Sequence, residues 1–165
     1  MLNQSRIVIE NVAPQINNGT VFIKRVVNEI VNVTADVLVD GHDILQASLL
    51  YKHSSEKQWS ESRMQPTIND EYTASFITTK QGYYAYKIQG WVDYALNWQH
   101  GIHRKIDDNQ HVNSELLEGA ELLENSLEKV SEEDKNYLLH LIFIFKNTET
   151  YHEAIKEAIS ERLTK

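Results

Sequence analysis

Between residues 81 and 105 the spacing of large apolar side chains changes, and that change limits what the chain can fold into. Tyr84, Tyr86 and Ile88 alternate, which is the repeat of a strand with one buried face. Trp98, Ile102 and Ile106 recur at the spacing of a helix stripe. The chain therefore predicts a β part before this stretch and a helical part after it. Its 165 residues suffice for one domain or two small ones sharing an interface. We divide it into a β part with a linking helix over 1–106 and a helical part of about three helices over 107–165.

Several short strands fit the first part. Arg6–Glu10 alternates, and Asn11–Pro14 and Asn17–Gly19 carry turn chemistry. In the segment 25–40, Val31, Val33, Ala35, Val37 and Val39 fall on one face, and Asp40-Gly41 ends it as a turn signal. The runs 47–51 and 58–64 predict two further strands, with Trp59 on an outward or edge-facing row. The segment 71–79 predicts a strand with Tyr72, Ala74 and Phe76 on one side, paired as a hairpin with 82–91 across Lys80-Gln81-Gly82. Six or seven short strands without helical crossovers predict an antiparallel β-sandwich of immunoglobulin type.

The second part predicts a small antiparallel helical bundle, each helix opened by a capping residue: Ser114, Ser131 and Thr150. The inward stripes are Leu116, Ala120, Leu123, Leu127 and Val130, then Tyr137 to Phe145, then Tyr151 to Leu163. Charge divides with the architecture. Residues 1–106 hold ten acids and ten bases, whereas residues 107–165 hold fourteen acids against six bases, the whole of the net −8. An acidic helical part repels phosphate backbones, which argues against nucleic acid as a partner.

There is no cysteine, which removes disulfides, thiolate metal sites and a Cys nucleophile. The N-terminus lacks a basic segment followed by a long apolar run, so no signal peptide is expected. The longest apolar run, Tyr137–Phe145, is far short of the ~20 residues a membrane span needs. These features predict a cytoplasmic, soluble protein without a membrane partner.

No catalytic constellation and no cofactor motif emerges. His100-Gly-Ile-His103 with Asp107 has a spacing that could begin a zinc site, but ordinary surface or interface histidines explain it better. In Asp40-Gly-His-Asp43, turn chemistry accounts for the Asp and Gly. The aromatic residues are more informative. Trp59, Tyr83, Trp91, Tyr94 and Trp98, with His100, lie outside the clearest core stripe. They predict either an interface, including a seam between the two parts, or flat platforms for the faces of sugars.

The motifs Arg6-Ile-Val-Ile-Glu10 with Pro14, and Val39-Asp-Gly-His-Asp43 with Ala47 and Leu49, recur in a known family. So do Gly82, Trp91-x-Asp93, Trp98-x-His100, Lys105 and Gln110. Over roughly residues 6 to 125 the chain resembles the N-terminal region of bacterial α-1,4-glucan:maltose-1-phosphate maltosyltransferases, of the α-amylase clan. The resemblance implies an immunoglobulin-like domain with a helical insert, both contributing to a homodimer, beside a catalytic (β/α)₈ barrel elsewhere in the same parent chain. That barrel transfers maltosyl from α-maltose 1-phosphate to the non-reducing end of an α-1,4-glucan with retention, through an aspartate nucleophile and a glutamate acid/base. It further implies that this chain is a fragment holding neither catalytic carboxylate, with α-glucan contact as the alternative role.

Overall fold

The computed structural model describes residues 6–164, so the reading of the N-terminus, which turns on residues 1–5, lies outside the described residues. The chain forms two compact units that meet between Asp93 and Tyr94. The helix that the sequence division joins to the β part is thus grouped with the other helices.

The first unit has seven strands among the described residues: β1 (Ile7–Ala13), β2 (Ile30–Val39), β3 (Leu45–His53), β4 (Ser60–Arg63), β5 (Gln65–Pro66), β6 (Glu71–Ile77) and β7 (Tyr84–Val92). They make two antiparallel sheets, in the orders β1-β2-β6-β5 and β4-β3-β7. The β-branched segment reads correctly over β2, where Val31, Val33, Ala35 and Val37 are buried. Its upstream end does not extend into residues 25–29. There Asn28 takes a left-handed conformation (φ 69°), and its N–H donates to the Thr78 carbonyl at 2.6 Å. Asparagine tolerates that region better than a β-branched residue does, so the chain bends before the strand begins.

The expected hairpin of residues 71–79 with 82–91 is not formed. β6 pairs with β2, from Ile30 opposite Ile77 to Asp36 opposite Glu71, whereas β7 pairs with β3 along nine positions. The two consecutive strands therefore lie in different sheets. Both alternate with aromatic residues because those rings meet across the core. Phe76 lies 5.9 Å from Tyr84 and 6.2 Å from Tyr86, centroid to centroid. Face-to-face contact satisfies the same apolar period as a ladder would, so periodicity alone does not distinguish them. Val33, Val37, Leu49, Met64 and Phe76 anchor this shared core.

The second unit contains α1 (Tyr94–Asp107), α2 (Asn113–Glu124), α3 (Glu132–Lys146) and α4 (Tyr151–Ala158), with 3₁₀ turns at Thr148–Thr150 and Glu161–Thr164. Its core includes Trp98, Ile102, Leu116, Leu141 and Phe145. The caps differ from one another. Ser131 accepts the Asp134 N–H at 3.2 Å and starts α3 as its sequence suggests. Ser114 instead lies inside α2, which begins after Val112 without a side-chain cap. Thr150 spends its hydroxyl on the carbonyls of Ile144 (2.9 Å) and Asn147 (2.8 Å), and so does not cap α4. Ser131→Ala is therefore expected to cost about 1 kcal/mol. Ser114→Ala should stay within about 0.5 kcal/mol. Chemical denaturation of both variants reads the difference, and equal losses would contradict the assignment of the caps.

Candidate functional site

In β3, Ala47 and Leu49 point into the core, so Gln46, Ser48, Leu50 and Lys52 point to the opposite face of their sheet. The register brings Trp91 beside Gln46, Gln89 and Arg63 beside Ser48, and Lys87 and Glu61 beside Leu50. Trp59, just before β4, joins this face. Its ring has the Lys52 Nζ at 4.8 Å and the Lys87 Nζ at 5.0 Å from its centroid. The Arg63 guanidinium carbon lies 4.6 Å from the Trp91 centroid. Between the two indoles the Ser48 hydroxyl, 1% exposed, donates to Glu61 Oε1 at 2.6 Å. The half-buried indoles are thus covered by cations, contacts of roughly 0.5–1 kcal/mol each. A pyranose stacking on either covered face would have to displace an ammonium or a guanidinium.

The other aromatic candidates lie elsewhere. Tyr83, at the turn before β7, is 64% exposed and tilts against Phe22 with centroids 4.9 Å apart. Tyr94 and His100 are exposed on α1, whereas Trp98 of the same helix is buried. The Trp98 indole N–H donates to the Glu115 carbonyl at 2.6 Å, and its ring packs 5.7 Å from Phe145. Trp98 is core of the helical unit, which removes it from the rings a sugar could reach.

The weaker candidates are accounted for locally. Asp43 pairs with Arg6 at 2.7 Å, and His103 with Asp107 at 3.0 Å. No group of three or more His, Asp or Glu side chains placed to hold a metal ion occurs among the described residues. No helix among them is long and apolar enough to cross a membrane.

The structure adds a surface that sequence reasoning missed. Phe22, Val26, Ile30 and Ile77 are all exposed large apolar residues, and the exposed Tyr83 tilts against Phe22. Ile30 and Ile77 are cross-strand partners on the outer face of their sheet. The Thr78 hydroxyl draws the loop over by donating to the Val26 carbonyl at 2.7 Å. The signal was present as apolar residues inside a stretch otherwise rich in turn residues.

Residues 5–165 match the family described as alpha-1,4-glucan:maltose-1-phosphate maltosyltransferase, domain N/S. The chain belongs to this family. Among its relatives, the maltosyltransferase of Salinibacter ruber is 39% identical over 146 residues, which cover 87% of this chain and 22% of that protein. The Chlorobaculum tepidum maltosyltransferase is 35% identical over 158 residues, 96% of this chain and 23% of the relative. That of Myxococcus xanthus is 38% identical over 123 residues, 72% and 18% respectively. This N/S domain therefore spans less than a quarter of the length of the curated relatives it matches. The resemblance carried by the Arg6–Glu10, Val39–Asp43 and Trp91–His100 motifs agrees with that membership.

Proposed function

We propose that this N/S domain is a non-catalytic assembly element of a cytoplasmic maltosyltransferase, which transfers maltosyl from α-maltose 1-phosphate to the non-reducing end of α-1,4-glucans. In this reading the two sheets are an immunoglobulin-like sandwich and the helices its inserted bundle. Together they support the catalytic barrel of the parent chain and contribute to a homodimer. The relatives' names support the parent reaction. The observation that carries the assembly role is the exposure of paired apolar side chains on the β unit, Phe22 (75% exposed) against Tyr83, and Ile30 opposite Ile77 with Val26 (73%) bonded through its carbonyl to the neighbouring Thr78. Apolar side chains gathered on a folded surface mark an interface, whereas scattered ones need no explanation.

The test uses the full-length enzyme carrying Phe22→Asp with Ile77→Lys, both at exposed positions. Sedimentation should show the dimer weakened at least tenfold, or thermal denaturation should show the barrel destabilised where the patch meets it. Association and melting both unchanged would remove the assembly role from this surface.

A further inference from the structure

The outer face of the β4-β3-β7 sheet carries charge that its own unit does not neutralise. Lys52, Lys87 and Arg63 stand on it, and none of them forms an ion pair among the described residues. Glu61 shares the face, but one of its oxygens is held by the buried Ser48 hydroxyl at 2.6 Å. Both lysine ammonium groups lie over one half-buried indole, Trp59, at 4.8 and 5.0 Å from its centroid. Like charges gathered in this way repel one another, whereas a carboxylate placed between them would be attracted by both.

The same sequence holds a surface of matching chemistry. On α2, Leu117 is 53% exposed, with Glu118 beside it and Glu121 one turn further along. Glu118 and Glu121 are exposed and form no ion pair among the described residues, unlike Glu115 and Glu124, which hold Lys105 and Lys146. They belong to the acidic segment 107–165, with its fourteen acids against six bases. An indole between two ammonium groups thus has its complement in a leucine beside two carboxylates.

We propose that the outer face of β4-β3-β7 in one copy receives the exposed side of α2 from a second copy. Leu117 rests on Trp59, while Glu118 and Glu121 meet Lys52 and Lys87. This rests on the assembly reading above and adds to its apolar surface a second, electrostatic contact on a different sheet. Exchanged reciprocally across a two-fold axis, the contact closes a dimer. Copies of net charge −8 repel at long range. At about 0.1 M salt the Debye length is about 10 Å, so that repulsion is screened while charges in contact still attract.

The experiment exploits the absence of cysteine, which frees disulfide trapping from background. Gln89→Cys places a thiol on the β face, and Ser114→Cys places one on the exposed side of α2, both beside the charges and not among them. The two variant chains, mixed under mild oxidation, should cross-link about tenfold or more faster than either alone. Raising salt from about 0.1 to about 0.5 M should slow the mixed reaction about threefold or more. Lys52→Glu with Lys87→Glu in the first chain should abolish the advantage. Glu118→Lys with Glu121→Lys in the second should restore it, which separates a lost contact from a lost fold. Equal rates in mixed and single samples, or no restoration by the reversed charges, would overturn the contact. A chain bearing both cysteines that cross-links within itself, at a rate independent of dilution, would overturn the second copy as occupant. Phe22→Asp with Ile77→Lys should leave the trapping rate unchanged. Failure here therefore leaves the Phe22 surface, read by sedimentation, standing, and the reverse.

Discussion

Gly119→Ala is expected to destabilise the helical unit strongly, although alanine is the better helix former. A Cβ at position 119 would stand 2.2 Å from Trp98 Cζ2 and 2.5 Å from Cε2, well inside any real contact. The indole cannot yield easily. Its N–H is committed to the Glu115 carbonyl one turn earlier in α2, and Phe145 packs against its ring. Ala gains about 1 kcal/mol of helix propensity over Gly. Overpacking of a filled core costs about 1–3 kcal/mol and more where neither partner can move. The clash therefore wins, and a net loss of about 2–3 kcal/mol or more is expected in chemical denaturation. The cause is separable from a general intolerance of α2 to change. Trp98→Phe removes the ring atoms that meet the new methyl, so Gly119→Ala should cost much less in that background, the coupling expected of residues in contact. Gly119→Ala within about 0.5 kcal/mol of the parent would refute this packing.

Much of the architecture was legible because the relevant period is local. β2 and α1 follow from the spacing of Val31 to Val37 and of Trp98 to Ile106, and Ser131 follows from cap chemistry, all within a few residues. What failed was non-local. Tyr84 and Tyr86 alternate equally well whether the strand pairs with β6 or faces it across the core, and only the sheet order resolves this. Thr150 looks like a cap until its hydroxyl is seen to reach back to Ile144. Among the candidate site residues, sequence could gather the aromatics but not sort them. Trp98 is core, Trp59 and Trp91 lie under cations, and Tyr83 belongs to a cluster with Phe22. Tyr51 and Phe76 stack with centroids 4.7 Å apart although their strands belong to different sheets, a contact no single segment encodes.

Gly82→Ala should be the second severe substitution, for two reasons that can be measured apart. At φ +142° an L side chain is strained, a cost of about 1–3 kcal/mol wherever the surroundings permit it. Here they do not, since the added Cβ would lie 2.4 Å from His53 Nε2. His53 is 8% exposed and fixed on both ring nitrogens. Nε2 faces the Gln81 carbonyl at 3.2 Å, while Nδ1 accepts the Ser55 N–H at 3.2 Å and meets the Ser55 hydroxyl at 2.7 Å. This arrangement assigns the proton to Nε2. The ring also meets Tyr84 in a T-shaped contact, so swinging it away would give up all three hydrogen-bond contacts and that one. Gly41→Ala supplies the comparison, because Gly41 is also left-handed (φ +116°) yet has nothing within 4 Å of its Cβ position. It should show the backbone cost alone, about 1–2 kcal/mol, and Gly82→Ala about 3 kcal/mol or more. Placing Gly82→Ala in a His53→Ala background should bring its increment down towards that of Gly41→Ala. If the two glycine substitutions cost the same in the native background, the close approach of His53 to the turn before β7 is not what holds that turn in place.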